Sequence, residues 1–126
     1  MVGERRHEGE EYPPGTEVWR RIPPLHFPKP PRERPNSSAF DDDSDGDPMS
    51  VVVVREGRDP QEVLVEHEGF ALVSLSLENL AECDQRLVAD PQPDEPDHAI
   101  VVGHKTDGTR RKMAKASRWV VSPPNQ

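Results

Sequence analysis

The chain has 126 residues, of which 32% are hydrophobic and 32% are charged, and its formal net charge is −8. This length excludes more than one domain, and a hydrophobic share below the usual level of roughly 45–50% excludes burial of the whole chain. The negative charge disfavours nonspecific binding to DNA or anionic membranes, and the single cysteine, Cys83, excludes an intramolecular disulfide.

The first 48 residues predict a proline-rich and acidic, largely extended segment. Nine of the 15 prolines lie there, and each removes a backbone donor and biases the chain toward extended geometry. Trp19 and Ile22 are the strong apolar residues of this segment, so we expect residues 17–22 to dock on the core as an edge strand. The aspartates of residues 41–47 repel one another and predict a solvated loop.

The location of the protein is predicted from what the chain lacks. Residues 1–11 are charged and have no apolar core, so no signal peptide is expected. No apolar run approaches the roughly 20 residues of a membrane span. A cytoplasmic protein without membrane contact is therefore expected, and part of it is expected to stay mobile because so few apolar residues are available.

Residues 49–122 are expected to form the folded domain, ahead of a short tail at 123–126. The β-branched run of residues 50–55 predicts a buried strand. A helix is predicted over residues 60–67, because Asp59 has the place of an N-cap, proline follows it and Gly69 fits the C-terminal cap. Alternation of valines in the same stretch leaves a strand as the alternative.

The remaining elements follow the same two periodicities. Strands are predicted at 70–75, 86–89 and 98–103, and helices at 78–85 and 109–120. Met113, Ala116 and Val120 form the inner stripe of the last helix, although Trp119–Val121 could instead close as a short strand. The predicted fold class is α+β: a small three- to four-stranded sheet packed with two or three helices and preceded by a proline-rich extended segment.

The end of the chain is basic although the whole is acidic. Residues 104–126 carry six basic side chains and one acidic side chain. A helix of this kind can be a solvated face or a docking surface for an acidic partner or a nucleic acid. The residues expected to contact a partner are Trp19, Arg111, Lys115 and Arg118.

Residues 41–46 match the opening of a calcium-binding loop. Alternate carboxylates at Asp41, Asp43 and Asp45 could converge on one cation, and Gly46 permits the turn. The twelfth position, however, is Val52, where such a loop places a bidentate glutamate. A plain acidic loop is therefore favoured, with these aspartates kept as metal candidates, and no cofactor is expected.

A second set of polar residues could carry catalysis. Arginines flanked by apolar residues can bind phosphate, and a histidine at the start of a strand can act as an acid or base. Cys83 is a poor nucleophile because neighbouring carboxylates raise the pKa of a thiol. The catalytic candidates are Arg20, Arg21, Ser38 and His98.

Several short motifs resemble an uncharacterised family of small bacterial proteins. They are Trp19-Arg20-Arg21-Ile22, Ser37-Ser38-Ala39-Phe40, Met49-Ser50-Val51, Gly69-Phe70-Ala71, Asp90-Pro91, Pro96-x-His98-Ala99-x-Val101-x-Gly103 and Trp119-Val120. The resemblance covers about four-fifths of the chain. It implies a bacterial cytosolic origin and segments around Trp19 and Phe40 that belong to the fold, and it implies nothing about catalysis.

Three functions are compatible with these features. The leading one is a non-enzymatic accessory protein that docks on a protein partner through an apolar patch and charged faces. The second is a small hydrolase or transferase acting on a phosphate-bearing substrate, for which an arginine, a serine and His98 must share one pocket. The third is a nucleic-acid-binding accessory protein that uses the basic last helix.

Overall fold

The computed structural model describes residues 12–43 and 46–124. Within them, six strands form one antiparallel sheet in the order β4-β5-β2-β1-β3-β6. The strands are β1 (Glu17–Ile22), β2 (Met49–Val53), β3 (Ala71–Ser76), β4 (Arg86–Ala89), β5 (His98–Val102) and β6 (Arg118–Val121). The helices are α1 (Pro60–Val63), α2 (Leu77–Glu82) and α3 (Asp107–Ala116), with 3₁₀ helices at Pro24–His26 and Ser37–Phe40.

The prediction of a three- to four-stranded sheet is wrong, because the described chain forms six strands and only three short α-helices. One additional strand, β1, comes from the proline-rich segment. The other, β6, comes from the end of the predicted last helix. The architecture is therefore dominated by the sheet and is not shared equally between sheet and helices.

Strand β1 lies in the interior of the sheet and not at its edge. All six of its residues pair with β3, from Glu17 opposite Ser76 to Ile22 opposite Ala71. With β2 it pairs only at Val18 and Trp19. Because β1 stands between β2 and β3, it joins two halves of the sheet that have no other strand pairing between them.

The first face of the sheet carries the larger core. Alternate residues of the strands point to this face, where the second 3₁₀ helix supplies Phe40, α2 supplies Leu80 and α3 supplies Met113, each fully buried. The helix α3 packs against the second 3₁₀ helix. The proline-rich segment is therefore part of the core layer through Phe40.

The second face is covered by a smaller cluster. Trp19, Val52 and Leu72 lie on this face and pack with Val63 and Leu64 at the end of α1. The helix α1 spans a single turn and ends before the predicted position. Its N-cap is nevertheless as predicted, since the Asp59 side chain accepts a hydrogen bond from the Gln61 backbone.

An arginine–carboxylate cluster holds α1 to the loop between β4 and β5. Arg58 donates to both carboxylate oxygens of Glu95, at 2.7 and 3.0 Å, and also contacts Asp97 at 3.1 Å. The hydrogen bond between Arg58 and Glu95 is the main cause that raises the pKa of Arg58 and lowers the pKa of Glu95. The bidentate geometry fixes the loop over this end of the sheet.

The last predicted helix ends four residues early. The Ser117 backbone is extended and its hydroxyl donates to the Ala114 carbonyl at 2.8 Å, which terminates α3. Trp119 then lies in β6 and pairs with Val73 of β3. Aromatic and β-branched residues thus adopt the sheet geometry that suits them. Within residues 12–43 and 46–124, no helix is long and apolar enough to cross a membrane.

Candidate functional site

The predicted metal ligands Asp41 and Asp43 contact different cations of the protein itself. Asp41 Oδ2 lies 3.5 Å from Arg110 Nη1, and Asp43 Oδ1 lies 3.6 Å from Arg20 Nη1. The third candidate, Asp45, lies outside the described residues. Among the residues that are described, no three His, Cys, Asp or Glu side chains converge to hold a metal ion. The two described carboxylates serve as counter-ions of arginines.

The neighbouring Asp42 forms an ion pair with a buried lysine. Asp42 Oδ1 lies 2.7 Å from Lys105 Nζ and accepts from the Met49 backbone at 3.1 Å. The same ammonium group donates to the Val101 and Gly103 carbonyls at 2.9 and 3.1 Å. Its three protons are thus all used, so Lys105 anchors the aspartate loop to the end of β5.

The first catalytic candidate, Arg20, fills a gap in the sheet. Beyond Trp19 the strands β1 and β2 no longer pair, and there Arg20 Nη1 donates to the Ser50 carbonyl at 2.8 Å while Nε donates to the Ala39 carbonyl at 3.0 Å. Burial lowers the pKa of Arg20, and Asp43 opposes that shift. The guanidinium therefore replaces missing backbone donors.

Three of the four catalytic candidates line one small cavity. Arg20, Arg21 and His98 meet there with Trp19 and Ser50, around a volume of about 50 Å³. Ser38 does not line it and is exposed on the second 3₁₀ helix. At roughly 30 Å³ per molecule of liquid water, the cavity has room for one or two waters and is well below the roughly 300–1,000 Å³ of typical ligand pockets.

The polar groups of this cavity have fixed partners. Ser50 Oγ donates to Asp43 Oδ2 at 3.0 Å. The His98 ring nitrogen Nδ1 lies 2.9 Å from the Asp90 carbonyl and 3.2 Å from its carboxylate, and because both are acceptors this nitrogen carries the proton. Burial lowers the pKa of Arg21, which donates through Nε to the carbonyl of Val63 at 2.7 Å. The serine proton thus points to an aspartate and not to a histidine base.

A larger groove lies between the proline-rich loop (residues 27–37) and the exposed side of α3. Its volume is about 550 Å³. The base of the loop is closed by a backbone hydrogen bond from Asn36 to His26 at 2.9 Å, and its far side is held by Trp119 Nε1, which donates to the Glu33 carbonyl at 2.9 Å. Pro28 and Pro35 are buried. The groove is therefore built on an anchored loop.

Among the described residues, four exposed cations and no Asp or Glu line the groove. None of the four forms an ion pair with any residue that the structure describes, in contrast to Arg20, Lys105 and Arg110. The Glu33 side chain lies between two of them in sequence but is not part of the lining. We call these cations the basic groove set: Lys29, Arg32, Arg34 and Arg111.

The predicted partner-binding residues fall in different places. Arg111 lines the groove. Lys115 is exposed on α3, and Arg118 lines a separate recess of about 260 Å³ that Glu17 also lines. Trp19 is 6% exposed and packs inside the second-face cluster. The structure thus brings one of the four into the basic groove set.

Sequence reasoning missed three members of the set. Lys29, Arg32 and Arg34 stand within six residues of one another among prolines, and this local excess of cations was the available signal. The net acidity of residues 1–48 concealed it, because the aspartates that create the acidity lie elsewhere in the same segment. Their pairing with Arg20, Lys105 and Arg110 required the fold.

Comparisons with protein-family models, with curated proteins and with solved structures found no match. The resemblance to small bacterial proteins therefore stays a prediction, and the function is inferred from the geometry of the chain itself.

Proposed function

We propose that this protein is a non-enzymatic, cytoplasmic interaction protein that binds an acidic segment of a partner protein in the groove between the proline-rich loop and α3. The observation that carries the proposal is the basic groove set, four cations without an ion pair in the described chain of an acidic protein. Charge of one sign that lines a cleft attracts ligands of the other sign.

The strength of such a site comes from several weak contacts acting together. A single exposed ion pair contributes about 0.2–1 kcal/mol, so one cation would not hold a ligand. Four cations on one anchored loop and one helix can act on the same acidic segment. Because the loop is held at its base by Asn36 and at Trp119, little ordering entropy is lost on binding.

A protein segment fits the groove better than a nucleic acid does. The net charge of −8 opposes the approach of a long polyanion. Single-stranded nucleic acids also need aromatic rings on which bases stack, and the one ring among the lining residues, Phe27, packs partly against the core. A short acidic stretch carries less charge to be repelled and needs no stacking ring, and it still contacts the cations.

The phosphate-transfer alternative receives less support from the geometry. The cavity shared by Arg21, Ser50 and His98 is about 50 Å³, and Ser50 donates to Asp43. A cytoplasmic location is supported by the single cysteine, Cys83, which is buried and whose pKa is raised mainly by that burial, since an unreactive thiol suits a reducing compartment.

The proposal is tested by fluorescence anisotropy with a labelled oligoglutamate peptide and the full chain. We expect saturable binding that weakens as salt screens the charges. In Arg32→Glu and Arg111→Glu, a lost attraction and a new repulsion each weaken binding by about fivefold or more, as expected for changes of about 1 kcal/mol.

Arg86→Glu is the matched control because Arg86 is exposed on β4 and does not line the groove. It changes the net charge of the chain by the same amount as the groove variants. The proposal is contradicted if Arg86→Glu weakens binding as much as Arg111→Glu, or if the unaltered protein does not bind the peptide.

A further inference from the structure

An exposed leucine shares the groove with the basic groove set. Leu25 is 80% exposed, the highest value among the exposed large hydrophobic side chains of the described residues, and it lines the same groove as the cations. The other two such residues, Val65 at 63% and Val120 at 36%, do not line it. Burial of exposed apolar surface on binding is favourable, so Leu25 offers a partner an apolar contact beside the cations.

The backbone holds Leu25 in this position. It is the central residue of the first 3₁₀ helix, which follows Pro23 and begins at Pro24. His26 donates to the Pro23 carbonyl at 2.9 Å, and Phe27 donates to the Pro24 carbonyl at 3.1 Å. Two prolines and two turn hydrogen bonds restrict the backbone, so Leu25 is presented to solvent with little freedom left to lose.

We infer that the occupant of the groove is an acidic segment of a partner protein that carries an apolar side chain beside its carboxylates. This inference rests on the proposed function and adds an apolar contact to the charge contacts. The basic groove set takes the carboxylates, and Leu25 takes the apolar side chain. Single-stranded nucleic acids are held largely by aromatic rings on which bases stack, and among the described lining residues Phe27 is the one aromatic side chain.

The test compares two labelled peptides that differ at one position. Both consist of glutamates, and one carries a leucine where the other carries a serine, so that their charge is the same. For the unaltered protein we expect about fivefold tighter binding of the leucine peptide, as partial burial of one aliphatic side chain supplies. Leu25→Ser is expected to remove this preference, so that the variant binds the two peptides with equal affinity.

Val65→Ser is the matched control because Val65 is also exposed and lies outside the groove; it keeps the preference for the leucine peptide. Equal binding of the two peptides by the unaltered protein overturns the inference while the proposed function stands. Failure of both peptides to bind overturns both. Displacement of the leucine peptide by an oligonucleotide of equal charge at lower concentration than by unlabelled peptide also overturns the inference.

Discussion

At the scale of single residues, Arg20 completes a sheet that the backbone leaves open. Its guanidinium donates to the Ala39 and Ser50 carbonyls in the gap between β1 and β2, and Asp43 balances its charge. A buried carbonyl without a donor is costly. The residue that the sequence suggested for phosphate binding is therefore engaged in holding the second 3₁₀ helix and two strands together.

Replacement of Arg20 by lysine tests this role. A lysine ammonium lacks the planar fork that reaches two carbonyls in fixed directions, so Arg20→Lys is expected to lower the free energy of unfolding by about 2 kcal/mol, the range for hydrogen bonds to charged groups. Urea unfolding measures the change. Arg32→Lys, in the exposed loop, is the control and should be neutral; an equally neutral Arg20→Lys would remove the structural role.

His67 makes stability depend on pH near neutrality. Burial, followed by the nearby Arg21, lowers the pKa of His67, so the folded state favours the neutral ring. Its contribution is complete above the unfolded pKa of about 6.5 and is lost as the pH falls through the lower folded value. Glu95, whose pKa is also lowered, acts in the same direction at more acidic pH.

The urea midpoint is accordingly expected to fall modestly between pH 7 and pH 5.5, and His67→Gln should make that fall smaller. His104→Gln, at an exposed position after β5, serves as the control and should retain the fall. A midpoint that stays constant over this interval, or a decline untouched by His67→Gln, would show that His67 is not its source.

At the scale of elements, Trp119 connects strand β6 to the loop that forms the groove. Its ring packs against the first-face core, and its indole nitrogen donates to the Glu33 carbonyl. Trp119→Phe retains most of the ring and removes this hydrogen bond. We expect faster hydrogen exchange at the amides of Arg32 and Asn36, which bond within the loop, and about threefold weaker binding of the oligoglutamate peptide, since loop ordering then opposes binding.

Native-state hydrogen exchange of the unaltered protein and of Trp119→Phe tests whether the loop depends on this side chain. Amides of β1 and β3 should exchange at the same rate in both, because their pairing does not involve the indole nitrogen. Unchanged exchange at Arg32 and Asn36 would show that the loop does not depend on Trp119.

The sequence predicts an element well where its pattern fits only one kind of secondary structure. β5 forms where the Ala99–Val102 run predicts it, and the Asp59 cap marks the start of α1. The end of α3 was placed too late because Arg118–Val121 fits a helical stripe as well as a strand, and only pairing with β3 distinguishes them. The groove escaped prediction because its walls, residues 27–37 and Arg111, are far apart in the chain.

At the scale of the whole molecule, part of the segregated charge of the sequence is matched within the fold. The basic C-terminal region places Lys105 and Arg110 against the aspartates at 42 and 41. The sequence could show that the two regions have opposite charge but not that they touch. Several other cations form no ion pair with a described residue, and four of them, the basic groove set, line one groove. This grouping is the physical basis of the proposed function.

The interior place of β1 predicts that residues 49–126 do not fold alone. Without β1, β2 and β3 lose the only strand that pairs with both, and Phe40 is lost from the core. We expect this fragment to show no cooperative thermal transition by circular dichroism, in contrast to the full chain. A cooperative transition of the fragment would instead support an autonomous domain over residues 49–122.

The most direct test of the central claim is an amide chemical-shift titration of the isotope-labelled full chain with the oligoglutamate peptide. Binding in the groove predicts shifts concentrated in residues 27–37 and around Arg111 on α3, with β4 and β5 unaffected. Shifts centred on β4 and β5, or scattered evenly over the molecule, would contradict it.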